Sequence, residues 1–167
     1  IELNSILGRP ASYIYFVMML GLSFLFTATD LVRASGGGGK VMDNAPVQIA
    51  IIMMLMMWIG LLICSAIMGV PVLRDYEHNT SALIFSTPFK KWEYLGGRYL
   101  GSFIILLLVI SGVLMGLMLG LSTDWPWLDQ PHKLLPFNLW HYIHPFLVFI
   151  LPGLFFFGSL FFAAWAL

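Results

Sequence analysis

Residues 47–70 read VQIAIIMMLMMWIGLLICSAIMGV, an apolar run without Asp, Glu, Lys or Arg. A helix rises about 1.5 Å per residue, so a run of about 20 residues spans the roughly 30 Å of hydrocarbon in a bilayer. The chain has three further long stretches free of these residue types, at 10–29, 99–123 and 134–167. We therefore predict an all-α integral membrane protein with about four transmembrane helices, at 11–29, 47–70, 94–121 and 141–167.

The composition agrees with this class of protein. Hydrophobic residues make up 60% of the chain and charged residues 10%, whereas soluble domains carry about 25% charged residues. The formal net charge is zero, so we predict a lipid bilayer as a partner and no nucleic acid. The single cysteine, Cys64, lies inside an apolar run, which excludes a disulfide framework or a thiolate metal cluster within one chain.

Prolines and the ends of the sequence add detail to this prediction. Pro10 stands before the first run, a position that suits the first turn of a helix. Pro71 follows the second run, where we expect the helix to stop or kink. The sequence begins at Ile1 rather than at Met and stops at Leu167 within an apolar run, so we expect a piece of a longer protein.

Positive charges in the loops predict the orientation of the helices. The loop before the second run holds two Lys or Arg residues, and the loop after the third run holds one. The loop between the second and third runs has four, counting the residue at the entry to the third span: Arg74, Lys90, Lys91 and Arg98. Loops rich in Lys and Arg stay in the cytoplasm. We predict that the N-terminus and the loop at 74–93 are cytoplasmic and that the two other loops lie outside.

Residues 35–40 read SGGGGK and resemble a phosphate-binding loop at first sight. The motif requires Gly and Ser or Thr at the positions held here by Ala34 and Val41. We therefore interpret the run as a flexible linker. The HExxH and GxSxG motifs of hydrolases are also missing from the sequence, so we predict that the chain is not an enzyme.

Histidines and methionines in the chain have the wrong spacing for a metal site. His141 and His144 share a helical face near His132, but zinc would need a further convergent ligand such as Asp129. Neighbouring methionines between 53 and 57 point in different directions around a helix, so we predict packing rather than metal binding. The spans have no ionisable Asp, Glu, Lys or Arg near their middle, which argues against an ion-coupled carrier or a channel.

Glycines recur every four residues along the third span. Gly112, Gly116 and Gly120 form one series, and Gly97 and Gly101 form a second pair. Residues four apart share one face of a helix, and small residues there let another helix approach closely. We predict that these glycines pack the third helix within the bundle, with a sliding contact as the alternative.

The loop between the second and third spans has the most specific sequence, RDYEHNTSALIFSTPFKKWEYLGGR at residues 74–98. Thr80 or the residue before it suits a helix N-cap, and Pro88 disfavours helical geometry at Thr87, which predicts a short helix at 81–86. This helix is too short to bury its own apolar residues. A protein surface or the lipid interface must therefore cover Leu83, Ile84 and Phe85.

The same loop resembles the membrane subunits of type 2 ABC transporters. In that family an acidic cluster precedes a Gly-Thr pair, a short helix, a proline and a basic stretch that leads into Tyr-Leu-x-Gly-Lys/Arg. The resemblance covers the order of elements from 9 to 121, with Asn79 in place of the usual Gly. The residues that match are Asp75, Glu77, Thr80, Pro88, Tyr94, Leu95, Gly97 and Arg98.

This resemblance implies a coupling helix seated on an ABC ATPase. ATP and Mg would bind to that partner, so the resemblance implies no cofactor in this chain. It further implies a homo- or heterodimer of permease halves with six spans each, of which this chain is a truncated part, with 1–9 as the end of an interfacial elbow helix. The residues that it assigns to partner binding are Asp75, Glu77, Thr80, Leu83, Ile84, Phe85, Pro88, Lys90 and Lys91.

The function implied by the resemblance is that of a permease subunit of an ATP-driven exporter in the inner membrane of a bacterium. The sequence EHNT at 77–80 most resembles a subgroup whose permeases can be followed by a zinc aminopeptidase domain. A membrane anchor for such an enzyme domain is therefore the alternative function, and a scaffold without transport activity is a third.

Overall fold

A computed structural model describes residues 10–29, 31, 41–77, 91–122, 125–126 and 133–166. Five α-helices occur in these ranges, and a π-helical turn at Phe146–Ile150 joins the last two. No strand occurs in the described part of the chain, and the all-α prediction is confirmed. The helices are α1 Pro10–Thr27, α2 Pro46–Glu77, α3 Lys91–Gly120, α4 Trp140–Pro145 and α5 Leu151–Ala166.

Three helical segments are long and apolar enough to cross a membrane, and a fourth is shorter. The long segments are Pro46–Gly69, Leu95–Gly120 and Trp140–Trp165, and the shorter one is Ala11–Thr27. At about 1.5 Å per residue, α1 is roughly 27 Å long, close to the thickness of the hydrocarbon layer. The segment Trp140–Trp165 comprises α4, the π-helical turn and most of α5, and we call it the fourth span.

The sequence predicted that the second helix stops or kinks at Pro71. The helix does not stop there. α2 continues without interruption to Glu77. A proline inside a helix lacks an N–H and crowds the carbonyl four residues before it, but the residues on either side of Pro71 are helical. The helix therefore includes the charged residues Arg74, Asp75 and Glu77.

The bundle has two ends that differ in their connections. At the coupling end, α2 ends at Glu77 and α3 begins at Lys91; residues 78–90 between them, here called the coupling segment, lie outside the described residues. At the opposite end, α2 begins at Pro46 and α3 ends at Gly120. The core between the two ends is apolar and includes Met19, Ile52, Met53, Cys64, Met68, Leu106, Ile110, Leu117 and Leu154.

The fourth span contains a break in the regular α-helical ladder. The backbone N–H of Leu151 donates to the carbonyl of Phe146, five residues back rather than four. Pro152 follows directly, and a proline inside a helix has no N–H to donate and crowds the carbonyl four residues before it. A π-helical turn before a proline relieves that crowding. The sequence placed the prolines in this span but did not predict the π-helical turn.

The fourth span also lies at the edge of the bundle. In its most apolar stretch 17% of the residues are buried, compared with 44% in α2 and 50% in α3. α2 and α3 are therefore enclosed by neighbouring helices on more sides than the fourth span is.

Candidate functional site: the coupling end and the contacts behind it

The coupling segment is flanked on both sides by charged helical residues. α2 continues past the apolar residues 70–73 into Arg74, Asp75 and Glu77, and α3 includes Lys91 and Glu93 before its long apolar run. The 13 residues of the coupling segment, 78–90, are therefore attached on both sides to helical residues that carry charge.

Most residues predicted to bind the partner fall in the coupling segment, outside the described residues, and these are Thr80, Leu83, Ile84, Phe85, Pro88 and Lys90. The remaining three are placed by their backbone alone. Asp75 and Glu77 lie in the last turn of α2, and Lys91 is the first residue of α3. All nine therefore belong to one stretch at the coupling end, and their partner contacts stay a prediction.

The glycines of α3 lie against α1. A Cβ added at Gly112 would lie 2.8 Å from the carbonyl oxygen of Phe16. At Gly116 it would collide with the Ser23 hydroxyl, and at Gly120 with the side chain of Thr27. The residue numbers of the contacting positions increase together along both helices, so α1 and α3 run parallel. Their backbones are in contact, as small residues in membrane helices allow. We call this contact the glycine seam.

The other two predicted packing glycines lie nearer the coupling end of α3. Gly101 is buried, whereas Gly97 is exposed. A Cβ added at Gly97 would meet no atom within 4 Å among the described residues. The close approach to α1 is therefore shown at Gly112, Gly116 and Gly120, and not at Gly97.

Two hydroxyl groups from α1, those of Ser23 and Thr27, line the glycine seam. These two residues were not predicted from the sequence. Ser23 donates to the carbonyl oxygen of Met19 at 2.8 Å, and Thr27 donates to that of Ser23 at 2.8 Å. Both hydroxyls are therefore satisfied within their own helix. Ser23 and Thr27 have the same four-residue spacing as the glycines, a sequence feature that could have indicated α1 as the partner of α3.

Methionine side chains of α2 fill the space that glycine residues leave on α5. The methyl group of Met57 contacts Gly153, and that of Met68 lies 3.1 Å from a Cβ placed at Gly158. Met53 is buried while Met54 is exposed, so the thioethers of α2 point to different sides. Among the residues that the structure describes, no group of three or more His, Cys, Asp or Glu could hold a metal ion.

At the opposite end, four hydrogen bonds tie the start of α2 to residues 133–135. The backbone N–H of Asp43 donates to the Lys133 carbonyl at 2.9 Å, and the Asp43 carboxylate accepts from the Lys133 N–H at 3.1 Å. The Asn44 amide donates to the Leu135 carbonyl at 2.8 Å and accepts from its N–H at 2.6 Å. Both side chains are buried. We call residues 133–138, which lead into α4, the strap.

Tyr99 connects α3 to α5 near the coupling end. Its hydroxyl donates to the carbonyl oxygen of Phe155 at 3.1 Å. Its ring lies 5.9 Å from that of Phe103 and 5.6 Å from that of Phe162, measured between centroids. The sequence does not single out Tyr99, because a tyrosine in an apolar run gives no indication of which neighbouring helix will accept its hydrogen bond.

A comparison with protein-family profiles matches residues 38–167 to the family described as "ABC-2 family transporter protein". The chain belongs to this family. Comparisons with curated proteins and with solved structures gave no match. The matched range contains α2, the coupling segment, α3 and the fourth span, whereas α1 precedes it. The family assignment thus extends to the fourth span, where the resemblance in sequence rested on hydropathy alone.

Membership of the ABC-2 family defines the general class of the protein. Its members are membrane transport subunits that normally work with an ABC ATPase. The ABC-2 chain described here is accordingly a multi-pass membrane protein of the ABC permease class. Such subunits are generally not catalytic themselves.

Proposed function

We propose that the chain forms part of the permease subunit of an ATP-driven exporter, which couples ATP hydrolysis by a partner ABC ATPase to substrate movement across the inner membrane. The observation that carries the proposal is the placement of the coupling segment within the family match. It joins two long apolar helices through charged helical residues, Arg74, Asp75 and Glu77 in α2 and Lys91 and Glu93 in α3. Because regular helices are stiff over a few turns, a push on the coupling segment would move α2 and α3 inside the membrane.

The charges beside the coupling segment support a protein partner. Asp75 and Glu77 are among the last described residues of α2, and Lys91 is the first described residue of α3. Lys91 follows from the excess of positive charge in cytoplasmic loops, but the two acidic residues do not. A basic patch on a partner surface would account for them.

ATP and Mg belong to the partner in this proposal. The run at 35–40 lacks the residues of a phosphate-binding loop, and the predicted orientation places it outside the cell. A second permease subunit, identical or different, would complete the pathway.

Copurification from the native membrane tests the proposal. The full-length protein, isolated in mild detergent, should bring with it an ABC ATPase whose ATP hydrolysis depends on the complex. A preparation that contains no ATPase, together with a soluble enzyme domain in the same polypeptide, would favour the membrane-anchor alternative.

A further inference from the structure

Trp58 lies at the middle of the apolar segment of α2. It is 12 residues after Pro46 and 11 residues before Gly69, the two ends of the part that is long enough to cross a membrane. At about 1.5 Å per residue, at least about 16 Å of helix separates Trp58 from either end. Its side chain is 73% exposed, and no hydrogen bond joins it to another residue in the described part of the chain. A polar indole N–H is therefore left near the centre of the hydrocarbon layer.

The other tryptophans have positions that are typical of membrane proteins. Tryptophan is enriched at the membrane–water interface, where its ring lies in an apolar layer and its N–H reaches water. In sequence, each of the five others lies outside the long apolar segments or at the end of one: Trp92, Trp125, Trp127, Trp140 and Trp165. Trp58 is the exception, and lipid chains offer its N–H no acceptor.

Trp58 belongs to a continuous face of α2 that the rest of the bundle leaves open. Gly60, roughly 200° away around the helix, meets the tip of Ile110 from α3, and Met57 and Met68 contact the fourth span. Residues spaced by three and four positions share one side of a helix. The large exposed side chains follow this spacing, and we call the surface that they form the Trp58 face: Val47, Met54, Leu55, Trp58 and Leu62.

A second copy of the chain supplies the acceptors that lipid lacks. Two copies insert with the same orientation, so a two-fold axis along the membrane normal places Trp58 of both copies at the same depth. The Trp58 face then meets itself. Met54 lies one turn from Trp58 on this face, and its sulfur is a weak acceptor. The indole ring also accepts N–H contacts, and sulfur–aromatic contacts are attractive. The face is therefore complementary to its own copy.

From this arrangement we infer that the Trp58 face is the contact between two copies of the permease chain inside the membrane, with each indole N–H directed at an acceptor of the other copy. The inference deepens the proposed function, on which it rests for the presence of a second permease subunit. It makes that subunit an identical copy and names the helix at which the two copies meet.

Disulfide trapping in membranes tests this inference. Two differently tagged copies of the full-length protein, in a cysteine-free background that includes Cys64→Ala, carry Trp58→Cys and are treated with an oxidant. A disulfide forms only where two β-carbons come within roughly 4.5 Å of each other. We expect a disulfide-linked dimer that holds both tags. Leu62→Cys, one turn further along the face and 76% exposed, keeps Trp58 and should give the same product.

Val17→Cys is the matched control, because Val17 lies near the middle of α1 with 63% of its surface exposed. It should stay monomeric after oxidation. Absence of the dimer from both α2 variants would overturn the inference, as would equal cross-linking of Val17→Cys. Cross-linking of both α2 variants in a protein that copurifies no ATPase would contradict the proposed function and leave the contact standing. A complex that retains its ATPase but shows neither cross-link would contradict this inference alone.

Discussion

Gly116 of α3 lies so close to Ser23 of α1 that a β-carbon at Gly116 would collide with the Ser23 hydroxyl oxygen. The same β-carbon would also lie 3.0 Å from the backbone nitrogen of Phe24. Backbone atoms cannot move aside as the end of a side chain can. The contact therefore requires glycine at this position and makes α1 and α3 one rigid pair.

The first prediction concerns this contact. Gly116→Leu should separate α1 from α3, and Gly116→Ala should already destabilise the protein by about 1–3 kcal/mol, the usual cost of overpacking. Thermal unfolding in detergent measures the effect. Gly97→Ala is the control, since a Cβ there meets no described atom within 4 Å and alanine favours a helix by up to about 1 kcal/mol over glycine. Equal stability of the Gly116→Ala and Gly97→Ala variants would contradict the glycine seam.

The second prediction concerns the strap. Asn44→Ala removes two hydrogen bonds to Leu135, and leaving partly buried backbone groups unpaired costs about 1–3 kcal/mol. Hydrogen exchange at the Leu135 amide should become faster. In Asn138→Ala, which loses only a local bond to the Trp140 N–H, the Leu135 amide should exchange at the wild-type rate. Unchanged exchange in Asn44→Ala would show that the strap is held by other contacts.

The helices themselves could be predicted from the sequence, because hydropathy and the absence of charge depend only on local composition. The glycine series on α3 could also be identified, since its four-residue spacing is local. Its partner α1 is far away in sequence and was not named, although Ser23 and Thr27 have the complementary spacing. Long-range pairs of this kind depend on how the helices are arranged, which one sequence does not reveal.

The strap, Tyr99 and the π-helical turn could not be predicted for a related reason. Asp43 and Asn44 look like ordinary loop residues until the chain brings Lys133 and Leu135 beside them. The sequence left open whether the helix stops or kinks at Pro71, and α2 continues to Glu77, so it does not stop there. Tertiary contacts and flanking helical residues decide such cases.

The third prediction concerns the orientation in the membrane. In a Cys64→Ala background, single cysteines at Gly37 and Gln130 should react with an impermeant maleimide added outside cells, and a cysteine at Ser81 should not. The expectation follows from the excess of Lys and Arg around the coupling segment. Labelling of Ser81 alone would reverse the orientation and separate the coupling segment from any cytoplasmic ATPase.

The fourth prediction compares two residues of the coupling segment. An aromatic side chain buried in a partner's pocket commonly costs about 2 kcal/mol when cut to alanine, roughly thirtyfold in affinity, and a charge at the rim of an interface contributes less. Phe85→Ala should therefore weaken ATPase binding more than Lys90→Ala. Both variants should insert into the membrane at the wild-type level, which protease protection of the opposite-end loops can check.

The most direct test of the central claim is the affinity of the reconstituted full-length permease for its ABC ATPase, measured for wild type, Phe85→Ala and Phe156→Ala. Phe156 serves as the matched control because it lies on α5 with 61% of its surface exposed. We expect roughly thirtyfold weaker binding for Phe85→Ala and wild-type binding for Phe156→Ala. Wild-type affinity and wild-type ATP hydrolysis in the Phe85→Ala complex would contradict the assignment of residues 78–90 as the site on which the ATPase acts.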